Sequence, residues 1–201
     1  MRPSLFNRRE AADSDNAFES KYRQHPDPWD FKFSRYERRR YAATLAALRH
    51  ARYARAFEPG CSIGELTALL AARCDSVLAT DISFTAARRA VVRCAEFPGV
   101  EVKCSDIRLE LPTQPFDLIV FSEIGYYFEP ETLGDLARRL ATLLVEGGDF
   151  IAVHWLGTSV DHSLHGTKVH ELLRAHLPLH WVDGRSYEGF KIDRWTRHER
   201  S

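Results

Sequence analysis

The feature that most narrows the folds open to this chain is a set of short, almost unbroken apolar runs, clearest at Phe116-Asp-Leu-Ile-Val-Phe-Ser122 and Phe150-Ile-Ala-Val-His-Trp155. A strand with one wet face alternates apolar and polar residues. A strand apolar throughout must be covered on both sides, which is the condition of a mostly parallel sheet between two layers of helix. Further strand-like segments at 54–58, 76–81 and 100–104 alternate with helical stretches at 63–73, 85–95 and 130–144, the last with Leu133, Leu136, Leu140 and Leu144 on one face. Beyond these, 169–176 has helical spacing, and 179–182 and 190–195 read as strands pairing antiparallel at the sheet edge. The expected fold is α/β: a doubly wound, mostly parallel, Rossmann-like seven-stranded sheet with an N-terminal helical extension.

Residues 1–34 form that extension, polar with aromatic residues set among prolines, and 35–201 form one globular domain. Pro26-Asp-Pro28 ends any helix begun at 17–24, because proline removes a donor and restricts the residue before it. A turn is expected at 29–33. Ser34, with Glu37 three residues on, has the arrangement of a helix N-cap, and Tyr41, Leu45 and Leu48 give the following helix an apolar face as far as about His50.

The 28 basic and 28 acidic residues cancel, so no global field draws the chain to nucleic acid or to an anionic membrane surface. A small or neutral substrate is the expected partner. Cys61, Cys74, Cys94 and Cys104 are scattered without a Cys-x-x-Cys pair, against a zinc site or a disulfide framework and in keeping with a reducing compartment. With neither a signal peptide nor a bilayer-length apolar run, the expected location is the cytoplasm.

In such a sheet the ligand binds beyond the carboxyl ends of the strands, where strand order reverses. The turn leaving the first strand reads Glu58-Pro-Gly60-Cys61-Ser-Ile-Gly64. Its glycines let the backbone turn sharply and approach a ligand. A dinucleotide would favour Gly-x-Gly-x-x-Gly and a P-loop would need Gly-Lys-Ser/Thr, and neither is present. The Glu58 carboxylate would repel phosphate but suits the ammonium and sulfonium of S-adenosylmethionine (SAM), which favours SAM over a nicotinamide dinucleotide. Asp81, ending the second strand, is placed to accept from both hydroxyls of a ribose, with a helix N-cap as its alternative role. Ile82 beside it and Cys61 in the loop join the cofactor set. Asp106 and Ile107 follow the third strand, where a carboxylate meets an adenine amino group and an apolar side chain covers the ring; an ordinary turn aspartate is the competing reading.

These segments resemble the class I SAM-dependent methyltransferases: the Glu58–Gly64 loop is similar to their glycine-rich motif, with Ser62 where many members have glycine, Asp81 to their ribose acid, and 116–122, ending at Ser122, to their fourth strand. More narrowly, Asp27-Pro-Trp29, Tyr36-Glu37-Arg38 and Ser122-Glu-Ile-Gly-Tyr-Tyr127 resemble the nodulation protein S (NodS) group, whose namesake N-methylates a glucosamine unit of a chitin-like oligosaccharide. The resemblance implies SAM as methyl donor, S-adenosylhomocysteine (SAH) as product, and an amino sugar, oligosaccharide or comparable small amine as acceptor. An O-methyltransferase and a non-catalytic SAM-binding protein are the competing functions.

Methyl transfer from a sulfonium needs alignment and no covalent nucleophile. Glu123, just past the fourth strand, is placed to orient an amine or take its proton, and His154 near the end of the fifth is the rival base. Tyr126, Tyr127 and Trp155 supply an acceptor wall. Trp29, Phe31, Phe33 and Tyr36 read as a lid over the cofactor, or else as a seam fixing the extension. One arginine of Arg38-Arg39-Arg40 is placed to bind the cofactor carboxylate. His162, His165 and His170 lack metal-site spacing, and no metal is expected.

Overall fold

The computed structural model describes residues 17–198, so residues 1–16 of the expected extension and residues 199–201 lie outside the described part. A helix at 17–24 (α1) leads through turns to α2 (Arg35–Ala46), followed by β1 (Tyr53–Pro59), α3 (Glu65–Ala71), β2 (Cys74–Asp81), α4 (Phe84–Arg93), β3 (Val100–Cys104), β4 (Phe116–Ser122), a 3-10 turn (Gly125–Tyr127), α5 (Pro130–Thr142), β5 (Leu144–Trp155), α6 (Gly166–His176), β6 (His180–Ser186) and β7 (Phe190–Thr196).

The seven strands lie in the order β3-β2-β1-β4-β5-β7-β6. The first five are parallel, and β7 pairs antiparallel with both β5 and β6. The order reverses between β1 and β4, so the loops leaving these two strands flank the crevice. Strand alternation explains the apolar runs. Leu118, Val120, Ile151 and Val153 pack with Tyr41, Leu66 and Leu70 on one face, while Phe121, Phe150 and Ala152 pack with Leu133, Leu136, Leu140 and Leu173 on the other.

Ser34 caps α2, its Oγ accepting the Glu37 amide. Glu37 does not reach back to close a capping box; its carboxylate turns inward to Arg40. Several boundaries differ from sequence expectation, and three of them have a visible cause. α2 ends at Ala46 and not near His50, the chain turning so that Leu48 enters the core and the amides of Arg49 and His50 donate to the Tyr53 hydroxyl. α3 is shorter than 63–73, because Ser62 and Gly64 have positive φ. β5 begins at Leu144 and not at Phe150; a register shift opposite Phe116/Leu118, with Gly147 at φ 76°, absorbs the irregularity. Among the described residues, no helix is long and apolar enough to cross a membrane.

Candidate active site

β1 delivers the Glu58–Gly64 loop into the crevice. Gly60 has φ 76°, and its amide and that of Cys61 donate to the Thr80 carbonyl at 2.7 and 2.9 Å, tying the loop to β2. A Cβ on Gly60 would sit 2.3 Å from Ile124 Cγ2, so close approach of the β1 and β4 loops requires glycine here. Asp81 holds the loop from below: Oδ2 accepts the Ser62 amide at 2.8 Å and Oδ1 the Ser83 amide at 2.9 Å. Burial outweighs these bonds and raises its pKa to about 6. Glu58 is buried deeper, burial pushes it to about 8, and its Oε2 has no hydrogen-bond partner among the described residues.

A cavity of about 480 Å³ opens above this loop. Of the residues expected at the site, Trp29, Tyr36, Gly60, Asp81, Ile82, Asp106, Ile107, Glu123, Tyr126, Tyr127 and Trp155 line it. Glu58, Cys61 and Ser122 line a small recess of about 30 Å³ that shares Gly60, Ser62 and Glu123 with the cavity. Gly64 and His154 line neither. Gly64 has a packing task, with φ 85° and the place of its missing Cβ only 3.0 Å from Ala90. The Asp106 carboxylate is occupied by the Arg108 amide at 2.9 Å and the Arg108 guanidinium at 2.8 to 3.0 Å.

Glu123 adopts φ 61° at the cavity wall. Its Oε1 accepts the Trp155 amide at 2.7 Å, and its Oε2 accepts the Tyr126 hydroxyl at 2.8 Å. Arg40 Nη1 lies 3.5 Å from Oε1. The carboxylate is thereby fixed in place by three groups.

His154 lies beneath the cavity, fully buried. The Gly125 amide donates to its Nε2 at 3.0 Å, its Nδ1 is 3.3 Å from His170 Nε2, and His170 Nδ1 is 2.7 Å from Asp193 Oδ2. An amide only donates, so His154 Nε2 must be unprotonated and its proton sits on Nδ1, pointing at His170; the His170 proton then points at Asp193. Every ring nitrogen is used. Strand alternation turns His154 under α6, and burial holds its pKa well below the ordinary histidine value. The histidines grouped in sequence thus separate: His170 joins this chain, His165 caps α6, and His162 stacks on Tyr126. No metal-binding group of three or more His, Cys, Asp or Glu occurs among the described residues.

The sequence did not single out α1. Its Glu19 caps α4, accepting from Ser83 Oγ (2.7 Å), Thr85 Oγ1 (2.7 Å) and the Thr85 amide (3.0 Å). Phe18 and Tyr22 line the cavity, and Tyr22 donates to Ser62 Oγ. Of the expected lid aromatics, Trp29, Phe31 and Tyr36 line the cavity, while Phe33 is two-thirds exposed on the outside. The arginine that turns inward is Arg40, 1 % exposed, donating to Glu37 and to Ser122 Oγ at 2.9 Å. In the run Arg38-Arg39-Arg40 only helical phase distinguishes it, by placing it three residues from Glu37 and four from Thr44 on the buried face.

A family model for nodulation protein S (NodS) matches residues 12–177. The chain belongs to the NodS family. It is 34 % identical over 102 residues to nodulation protein S of Bradyrhizobium diazoefficiens, covering 50 % of this chain and 49 % of that one. It is 31 % identical over 132 residues to nodulation protein S of Rhizobium tropici, covering 62 % and 53 %. The chain thus spans about half the length of these curated relatives. Among solved structures, the N-methyltransferase NodS from Bradyrhizobium japonicum WM9, in complex with SAH, superposes with a TM-score of 0.81 at 22 % identity over 92 % of this chain and 99 % of that one. A structure from Pseudomonas syringae described as a methyltransferase is 37 % identical, with a TM-score of 0.68 over 81 % and 99 %. The fold is therefore the Rossmann-like one expected, with β7 and β6 antiparallel at one edge.

Proposed function

We propose that this chain is a SAM-dependent methyltransferase whose acceptor is the amine of an amino sugar or small oligosaccharide, working in the cytoplasm. The observation that carries the reading is Glu58: a buried carboxylate with one oxygen unpartnered, in a recess adjoining the cavity. A buried carboxyl with a raised pKa ionises readily only when a cation is placed beside it. An ammonium group meets that need and a pyrophosphate does not, so the residues present fit SAM. Gly60 lets the loop backbone approach the ligand, and each Asp81 oxygen keeps a second lone pair for a ribose hydroxyl. Ile107 and Phe128 offer apolar cover for a base. When bound, SAM supplies a methyl group already activated on its sulfur.

Phe18, Tyr22, Trp29 and Phe31 form the lid side of the cavity and exclude water from it. Meeting this lid where Phe18 packs edge-on against Tyr127 at 4.8 Å, Tyr126, Tyr127, Trp155 and His162 build an aromatic wall against which a sugar ring can lie. The fixed Glu123 carboxylate orients an amine at the boundary between the two regions. The likeness to the solved N-methyltransferase NodS supports an amine acceptor in particular.

Calorimetric titration with SAM, SAH and NADH, on the wild type and on Asp81→Ala, tests the cofactor; methyl transfer to glucosamine oligosaccharides against hydroxylated acceptors then tests the substrate. Saturable SAM and SAH binding, weakened roughly tenfold or more by removing a charge-assisted hydrogen-bond acceptor, is expected. Tight NADH binding without SAM binding would sink the reading, and turnover with hydroxyl acceptors alone would change it to O-methylation.

A further inference from the structure

Four histidines gather between the end of β5 and the middle of α6, and three have spent their ring nitrogens on the protein. His154 and His170 are used up in the chain that ends on Asp193. His165 accepts the Thr167 amide at Nδ1, and its Nε2 lies 2.7 Å from the Leu156 carbonyl oxygen. His162 differs from all three. Its ring is held by its faces and edges alone, stacked on Tyr126 at 3.8 Å and 15°, with Tyr127 edge-on at 5.1 Å and Trp155 at 6.0 Å. Its Nδ1 is shut off from solvent with no hydrogen-bond partner among the described residues. The ring lines the same cavity as Glu123 and Tyr127.

Nδ1 is closed to the cavity as well as to solvent, so the nitrogen that a ligand in the cavity can reach is Nε2. Stacking fixes the plane of the ring while leaving Nε2 available. We infer that His162 is the catalytic residue that takes the proton from the acceptor amine. This rests on the methyl-transfer reading above. As the amine lone pair bonds to the methyl carbon, the carbon–sulfur pair stays on sulfur, leaving a neutral thioether. The surplus proton on nitrogen passes to Nε2 of His162, and the imidazolium returns it to solvent through the half-exposed loop.

The charges facing His162 are Glu123 from the β4 loop, Asp161 beside it, Lys21 from α1 and His165 at the start of α6, with the Tyr126 and Tyr127 phenols against the ring. Burial lowers its pKa against the pull of Glu123 and Asp161, so the neutral form, the one able to accept a proton, prevails at neutral pH.

The test compares the wild type with His162→Gln and with His162→Phe, which keeps the stacked ring and removes both nitrogens. SAH affinity and thermal unfolding are measured first, then the pH profile of kcat/KM for methyl transfer to a glucosamine tetrasaccharide, and the affinity of that tetrasaccharide for the SAH-loaded protein. Expected are SAH binding within about twofold of wild type, a fall in kcat/KM on the order of 100-fold in both variants, and loss of an acid limb lying below the ordinary histidine pKa. Wild-type turnover matched by both variants, or an acid limb that survives and follows the pKa of the acceptor, overturns the role of His162 alone. A wild type that binds SAM but leaves the tetrasaccharide unmethylated overturns the acceptor and this inference together. A wild type that binds no SAM overturns the methyltransferase reading itself.

Discussion

The amide of Gly125 donates to Nε2 of His154 at 3.0 Å, joining the loop after β4 to the end of β5 and, through His170, to Asp193 on β7. Three strands are thereby fixed against one another directly under the cavity wall. Gly125 has no room for a side chain, since a Cβ there would meet Val169 Cγ1 at 2.4 Å and His154 Nε2 at 2.7 Å.

Breaking this chain should cost stability while leaving the cofactor loop intact. His170→Ala strands buried groups on both sides, at about 1–3 kcal/mol for each unsatisfied group. Burial also lowers the pKa of both histidines despite the pull of Asp193 on His170. A base with a depressed native pKa binds protons more weakly folded than unfolded, so stability is full above about 6.5 and falls as pH drops below it. Urea unfolding at a series of pH values should show that slope in the wild type and a shallower one in His154→Phe; equal slopes would refute the assignment.

Arg40 is the second buried link, held between Glu37 and Glu123 with Ser122 Oγ at 2.9 Å. Removing one member of a buried ion pair leaves an uncompensated charge, at about 3–5 kcal/mol. Arg40→Met should destabilise by that order. Adding Glu37→Gln should recover part of the loss, so a double-mutant cycle by chemical denaturation is expected to be strongly non-additive. Additive losses would mean the pair is not coupled.

Glu58 makes cofactor binding pH-dependent. Its pKa of about 8 leaves it largely protonated at pH 7 in the free protein. An ammonium placed beside it favours the carboxylate, so binding should release protons and affinity should rise with pH up to about 8. Calorimetry with SAM in buffers of different ionisation enthalpy measures the release. Buffer-independent heats in the wild type would show that the ammonium does not sit at Glu58; Glu58→Gln should abolish the pH dependence.

Glu19 governs the docking of α1. Burial raises its pKa, but hydrogen bonds from Thr85 and Ser83, with a further contribution from Arg23, outweigh that and hold it at about 2. A carboxylate depressed on folding contributes stability above its ordinary pKa near 4.3, lost as pH falls toward 2. Hydrogen exchange over 17–24 should therefore quicken, relative to the intrinsic rate, as pH drops through that window. In Glu19→Ala it should already be fast at pH 7, with weaker SAM binding. Unchanged protection and affinity would remove α1 from the lid.

The sequence by itself determined the parallel sheet, the sharp loop at Gly60, the acid ending β2 and the arrival of Glu123 and Trp155 at the crevice. Strand alternation, helical spacing and glycine geometry act over a few residues, and those signals are written locally. Only the tertiary structure decided the partners. It took Arg40 from a run of three arginines and set it 2.9 Å from Ser122, 82 residues on. It buried His154 against a backbone amide 29 residues away and left His162, to which its spacing in sequence gave no role, stacked on the cavity wall. What a side chain does here depends on which distant donors and acceptors satisfy it, and that pairing exists only once the sheet and the helices have packed on each other.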